Sequence, residues 1–221
     1  MSHPIEDWHT RFQQLGLEAL FTAAKARAPL KLKAKRFWFL RHGETEGNAT
    51  RIIQHAEISL NERGFEQARL AGEALRGEAF TRVYGSTMTR AWQTAETVGR
   101  ICGKTPIPEP RLRERWFGDL VGTTSVGLNW SQDPKNGERA ADFATRMCDA
   151  AEALLADDVP TLLVAHGGNL YVLAFALNVE MKTEYIANAT PLYFEFEEAA
   201  QQWRIKPLSA PAHGGPILAP N

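Results

Sequence analysis

Only two cysteines, Cys102 and Cys148, occur among the 221 residues. That count excludes a disulfide-built scaffold and a cysteine-rich metal site. The pair reads as small apolar residues in helix-like segments of a protein kept in a reducing compartment. Long apolar runs are missing as well, and no stretch is long enough to span a bilayer. The N-terminus lacks the basic start and apolar run of a secretory signal, carrying Glu6 and Asp7 early instead. A cytoplasmic protein is expected. Charge of one sign is not in excess: 25 basic and 26 acidic residues leave a formal net charge of −1. No global field therefore draws nucleic acid or an anionic membrane surface. Internal repeats are absent, and His3, His9 and His55 follow no metal-ligand spacing, so neither a metal nor another cofactor is expected.

What remains is the composition of an ordinary globular chain, 44% hydrophobic and 23% charged. The length suits one domain with a substantial core. Residues 1–35 form an N-terminal helical extension and linker. Pro4 suits a first helical position, and Trp8, Phe12, Leu15 and Ala19 recur at helical steps, predicting one helix over residues 3–27. Pro29 and the alternating Lys31, Lys33 and Lys35 mark the linker. A helix with an apolar stripe must cover something: its own domain by default, a second copy of the chain, or the mouth of a pocket. Residues 209–221, rich in Pro and Gly, are expected to form a loose C-terminal tail.

Between them, residues 36–208 alternate strand and helix. Phe37–Leu40 reads as a first strand. A helix follows, capped by Ser59 or Asn61, with Phe65, Ala68, Ala71 and Leu75 on one face and Gly77 beyond its end. Arg82–Gly85 is a short strand, and Met88, Ala91, Ala95 and Val98 mark a helix that stops before Gly103. After an irregular stretch, Phe143, Met147, Ala150 and Leu154 define another helix. Thr161–Ala165 is a continuous apolar run, as in a strand covered on both faces. Leu170–Leu177 is a buried helix, and Leu192–Phe196 and Trp203–Ile205 are late strands. The alternation predicts an α/β fold, a three-layer α/β/α sandwich around a mainly parallel sheet.

That architecture gives meaning to Arg41-His42-Gly43, which ends the first strand abruptly. A buried strand has no local use for a guanidinium and an imidazole at its end, whereas open parallel sheets hold ligands at the carboxyl ends of their strands. A fixed cation beside a nucleophile suits a phosphate ester, because the planar guanidinium fork matches phosphate oxygens. Alone, the tripeptide is weak evidence. His166 likewise follows an apolar strand, in Leu162-Leu163-Val164-Ala165-His166-Gly167-Gly168, and Arg90 lies in the first turn after strand 82–85. All four side chains can converge on one edge of the sheet. Two guanidiniums would favour a neutral His42, the form able to attack phosphorus. Ala212-His213-Gly214-Gly215 repeats the second histidine tetrapeptide, but no strand precedes it and Pro216 follows, so it is assigned to the tail.

Arg41-His42-Gly43, Ser86-Thr87-Met88-Thr89-Arg90-Ala91-Trp92-Gln93-Thr94-Ala95, Leu112-Arg113-Glu114-Arg115-Trp116-Phe117-Gly118 and the His166 segment occur in that order. The set resembles the histidine phosphatase superfamily, the clan of cofactor-dependent phosphoglycerate mutases, from about Arg36 to about Leu208. The resemblance implies a phosphoglycerate mutase-like fold, with His42 as the nucleophile that forms a phosphohistidine. It implies that Arg41, Asn48, Arg90 and His166 hold the phosphoryl group and that Glu114 donates a proton to the leaving group. A carboxyl beside a dianionic phosphate holds its proton, since like charge raises its pKa. Asn48 could equally cap a local turn, His55 lies close enough for a pocket role, and Trp116, Phe117 and Trp130 could line a substrate wall or simply pack.

Two departures bear on the reaction. The stretch Gln54-His55-Ala56-Glu57-Ile58-Ser59-Leu60-Asn61 is about one position shorter than the family pattern. Between Gly122 and Arg146 the only cations are Lys135 and Arg139, where mutases of the family carry a paired-arginine segment for a second phosphate. Hydrolysis of a small-molecule phosphate ester is therefore expected. A phosphoglycerate or phosphosugar mutase is the second reading, and a phosphate-binding module without turnover the third.

Overall fold

The computed structural model describes residues 8–208; Pro4 and the tail from Ser209 to Asn221 lie outside that range. Six strands form one sheet: β1 (Arg36–Arg41), β2 (Arg82–Gly85), β3 (Ile107–Pro108), β4 (Thr161–Ala165), β5 (Pro191–Glu197) and β6 (Gln202–Pro207), in the order β3-β2-β4-β1-β5-β6. The first four in that order run parallel, while β5 pairs antiparallel with β1 and with β6. The two-residue β3 was not apparent in the sequence, because Ile107 and Pro108 are both exposed and carry no alternation.

Side-chain alternation along β1 builds both cores. Phe37 and Phe39 pack with Leu163 and Ala165 of β4 into one cluster, with helices α6 (Ala140–Leu154) and α7 (Gly167–Ala176) over them. Trp38 and Leu40 face the other way with Leu162 and Val164, beneath α4 (Glu62–Leu75) and α5 (Thr89–Cys102). The result is the expected three-layer α/β/α sandwich. Asn61 caps α4, its side chain accepting from the Gly64 N–H at 2.8 Å. Phe65, expected on the buried face, is 43% exposed, and Gly64 takes the inward place beside Ala68, Ala71 and Leu75. Gly103 ends α5 in the left-handed region (φ 66°), where glycine carries no Cβ penalty.

The N-terminal segment is two helices rather than one: α1 (Trp8–Leu15) and α2 (Glu18–Ala26). Gly16 breaks the run at φ 59°, and a Cβ there would collide with the Asn129 side chain. The elbow is tied to the loop below: the Trp130 N–H donates to the Leu15 carbonyl at 2.9 Å, and the Ser131 hydroxyl donates to the Gly16 carbonyl at 2.7 Å. Leu17, Leu20 and Ala24 are fully buried in the α6–α7 cluster, so the helices cover their own chain. Among the described residues no helix is long and apolar enough to cross a membrane.

Candidate active site

Strand β1 delivers His42 to the carboxyl edge of the sheet, where its N–H bonds to the Ala165 carbonyl at the end of β4. The turn that follows is tight. A Cβ on Gly43 would run into the Gly64 carbonyl oxygen, so only glycine lets the β1 turn lie against the start of α4. Thr94 of α5 secures the same turn, accepting from the Gly43 N–H at 3.1 Å. Asn188 completes the anchoring by donating to the His42 carbonyl at 3.0 Å.

His42 is 3% exposed. Its Nδ1 lies 2.7 Å from the Gly43 carbonyl, which can only accept, so Nδ1 carries the proton and Nε2 the lone pair. Arg90 Nε donates to that Nε2 at 3.2 Å, and Arg90 Nη1 donates to the His55 carbonyl at 3.0 Å. Burial, reinforced by the charges of Arg90 and Arg41, holds the His42 imidazole well below the usual histidine pKa. Burial lowers the Arg90 guanidinium to about 10, so it stays cationic at neutral pH.

His166 is fully buried behind the cavity surface, its ring centroid 5.1 Å from that of His42. Its Nε2 lies 2.8 Å from the Ser86 hydroxyl, which also accepts from the Met88 N–H at 3.3 Å. Burial and then the Arg90 charge keep this imidazole neutral too. Two buried polar atoms here make no hydrogen bond to protein, His166 Nδ1 and Arg41 Nε, while Arg41 Nη1 donates to the Ile186 carbonyl. Buried polar atoms without a partner are rare in folded proteins and ask for an explanation. Two such atoms beside a neutral imidazole and a second guanidinium have the chemistry that suits a tetrahedral oxyanion.

Glu114 faces this group from the irregular segment after β3. Its Oε2 accepts from the Gly168 N–H at 3.0 Å and its Oε1 from the Arg115 N–H at 3.0 Å. Gly168 must be glycine, because a Cβ would strike Glu114 Oε1 and the Trp130 ring. Burial raises the Glu114 pKa above the ordinary carboxyl value, outweighing those N–H donors and the Arg90 and Arg41 charges. A carboxyl that keeps its proton in this position can give it to a leaving oxygen.

Asn48 sits in a short helix, α3 (Glu46–Ala49), capped by Thr45. Its carboxamide oxygen accepts from the Thr45 N–H at 3.2 Å and from Asn188 at 3.3 Å. It therefore does cap a turn, with the NH₂ end left to donate, and it lines the same cavity as Arg41, His42, Arg90 and Glu114. His55 contributes its carbonyl to Arg90 while its side chain is exposed. Phe117 and Trp130 line the cavity; Trp116 is 42% exposed, its indole N–H donating to the Asn136 carbonyl at 3.0 Å. Among the described residues no cluster of three or more His, Cys, Asp or Glu could hold a metal ion.

Sequence reasoning assigned no role to Ser86, Asn188 or Arg115. Ser86 and Arg115 lie inside motifs, but their partners are distant in the chain. Arg115 is buried and donates to the carbonyls of Trp130, Gln132 and Glu138, pinning the 130–138 loop beneath Glu114. The count of cations over residues 122–146 also understated the charge of the wall. The cavity, about 670 Å³, is lined by Arg11, Arg41, Arg51, Arg63, Arg90 and Arg115 against Glu44, Glu114 and Glu184. None of the six lies within residues 122–146, and Arg11, Arg51 and Arg63 come from segments to which the sequence assigned no cation role.

Comparison with known proteins places the chain. Residues 37–206 match the model of the histidine phosphatase superfamily, branch 1. The chain is 32% identical over 195 residues to an agropine synthesis reductase of Rhizobium rhizogenes, with 82% of this chain and 43% of that protein covered; it spans less than half the length of that relative. It is 35% identical over 148 residues to a probable phosphoglycerate mutase of Photorhabdus laumondii, covering 59% of this chain and 68% of the mutase. It is 31% identical over 170 residues to a glucosyl-3-phosphoglycerate phosphatase of Mycobacterium tuberculosis, covering 66% of this chain and 76% of the phosphatase. A native structure of the mycobacterial glucosyl-3-phosphoglycerate phosphatase superposes with a TM-score of 0.63 at 27% identity, over 79% of this chain and 97% of the other.

Proposed function

The chain belongs to the histidine phosphatase superfamily, and we propose that it hydrolyses a small-molecule phosphomonoester through a covalent phosphohistidine on His42. The observation that carries this reading is the His42 ring itself, neutral, with Nδ1–H bonded to the Gly43 carbonyl and the Nε2 lone pair beside Arg90.

In the first step His42 Nε2 attacks phosphorus and the ester P–O bond breaks. Arg41 and Arg90 neutralise charge on the equatorial oxygens, where negative charge accumulates in phosphoryl transfer. His166 and the Asn48 NH₂ complete the hold on the group. The Glu114 carboxyl gives its proton to the departing alkoxide. In the second step the Glu114 carboxylate takes a proton from water as the water oxygen attacks phosphorus. The P–N bond breaks, and His42 and protonated Glu114 are restored with release of phosphate. No metal ion or other cofactor is needed for these transfers.

Transfer to water rather than to a second substrate hydroxyl is supported by the wall that residues 123–137 present. It consists of Ser125, Leu128 and Trp130, without a cation to retain a twice-phosphorylated intermediate. The mutase reading has its own support in the six arginines around the cavity and in the mutase relative. We place the enzyme in the cytoplasm, a setting that fits its two unpaired cysteines. A screen of sugar phosphates, phosphoglycerates, nucleotides and phosphoamino acids, read for both free phosphate and product isomers, tests the assignment. Phosphate release is expected; isomerisation without net release would replace hydrolysis by mutase activity, and phosphate affinity with no turnover would leave only binding.

A further inference from the structure

Gly168, in the first turn of α7, donates its N–H to Glu114 Oε2 at 3.0 Å. A Cβ on it would strike Glu114 Oε1 on one side and the indole of Trp130 on the other, 2.8 Å from Cζ3. The carboxyl and the edge of the indole therefore meet over one glycine. Trp130 is 9% exposed, set edge-on to Phe117 with centroids 5.1 Å apart and to Tyr171 at 6.0 Å. An apolar ring against a carboxyl withholds water from its charged form.

Residue 130 lies in neither helix nor strand, so other segments must hold it. Its carbonyl accepts from Arg115 Nη1, the neighbour of Glu114 in the chain. Its N–H donates to the Leu15 carbonyl at the end of α1, at 2.9 Å. The Ser131 hydroxyl donates to the Gly16 carbonyl at 2.7 Å and accepts from the Ala19 N–H of α2 at 2.9 Å. Gly16, at φ 59°, lets the elbow lie directly on the Asn129 side chain. The elbow cannot drift, because Trp8 packs on Tyr171 with centroids 5.7 Å apart and Phe12 on Phe175 at 5.8 Å. Leu15 and Gly16 precede residues 37–206, the part of the chain that matches the family.

The charged and titratable groups around the Glu114 carboxyl come from several elements. They are Arg41 at the end of β1, Arg90 of α5, its neighbour Arg115 with Asp133 beyond, and Tyr171 of α7, bonded to Arg11 of α1. The buried imidazoles of His42 and His166 are neutral. Arg41 and Arg90 favour the carboxylate, so the raised pKa of Glu114 depends on burial.

We propose that the α1–α2 elbow is a positioning element for Glu114: through the peptide of Trp130 it holds the indole against the carboxyl and shields it from water. The inference rests on the reading of Glu114 as proton donor and extends the working site to a segment outside the family match.

The test follows the Glu114 carboxyl directly, by ¹³C shifts of the full chain labelled at its glutamate carboxyls, with Glu114→Gln identifying the signal. Wild type should titrate above the ordinary value of 4.5. In Trp130→Ala water reaches the carboxyl, and its titration should move down by about one pH unit. Trp130→Phe should keep part of the elevation. Ser131→Ala, at a residue that does not line the cavity, should shift the titration in the same direction by loosening the elbow. Melting curves identify the folded variants; if Trp130→Ala does not fold, Trp130→Phe and Ser131→Ala carry the comparison. A titration unchanged in Ser131→Ala, or in the folded Trp130 variants, overturns the proposal. The alkaline limb of alkyl phosphate hydrolysis should move with the carboxyl. If the carboxyl shifts and the limb stays, the elbow still positions Glu114, and it is the proton-donor reading that fails.

Discussion

The Ser86 hydroxyl stands 2.8 Å from Nε2 of His166, eighty positions later in the chain. Because the same oxygen already accepts from the Met88 N–H, its own proton is free for His166 Nε2. Where the hydroxyl gives that proton to Nε2, the ring proton of His166 lies on Nδ1, the buried atom on the cradle side. A phosphoryl oxygen in the cradle would then meet a donor; the opposite tautomer would present a lone pair to an anion. On that tautomer Ser86 would be a positioning residue acting through His166.

Ser86→Ala should cost about tenfold in kcat and lower Tm, since a buried group left unpaired costs about 1–3 kcal/mol. Ser86→Thr should restore most of the rate. The ¹⁵N shifts of His166 discriminate the role from a merely structural one: Nδ1–H is expected in wild type and a mixture of tautomers in Ser86→Ala. Identical ring shifts in the two proteins would remove Ser86 from the mechanism.

If Glu114 is the proton donor, as proposed, it should set the alkaline side of the pH–rate profile. Burial holds its folded pKa above the ordinary carboxyl value of 4.5, and a bound dianion adds to the shift. The proton donor is therefore present below the raised value and lost as pH rises through it. Turnover of alkyl phosphates should fall along that limb, while p-nitrophenyl phosphate, with its good leaving group, should fall less. Glu114→Gln should slow alkyl esters by about a hundredfold or more and should abolish the limb. Equal losses on both kinds of ester would argue against proton donation.

Stability should respond to acid through the two buried histidines. Both imidazoles are held well below the usual value of 6.5, so the folded chain keeps them neutral where the unfolded chain takes protons. Unfolding then binds protons as pH falls below about 6.5, and stability falls with it, by up to about 2.7 kcal/mol per pH unit for the pair. Calorimetric scans between pH 7.5 and 5.5 should show a declining Tm, with a shallower decline in a His42→Asn, His166→Asn double variant. A Tm independent of pH over that interval would mean that the rings titrate in the folded state.

The sheet and its active edge were legible because their signals are local. Apolar runs ending at His42 and His166, and Arg90 in the first turn of a helix, carry both the strand pattern and the chemistry. What escaped depends on contacts between distant segments. Ser86 acquires its role from a ring eighty residues away, and Arg115 from carbonyls of a loop still to come. The apolar stripe predicting one helix over residues 3–27 runs straight through Gly16, whose left-handed backbone over Asn129 splits it in two. Phe65 matched the apolar period of α4 yet yields the inward place to Gly64, which must lie against the Glu44 backbone. The charge of the cavity was misjudged because Arg11, Arg51 and Arg63 are contributed by segments remote from residues 122–146.

The central claim is that the phosphoryl group passes through a bond to His42 Nε2. Wild-type protein and His42→Ala, mixed briefly with a ³²P-labelled phosphomonoester and quenched in alkali, test it directly. Wild type should carry label that survives base and is lost in acid, as a phosphohistidine does, and His42→Ala should carry none and release no phosphate. Full turnover by His42→Ala, or label on wild type that withstands acid, would contradict the account.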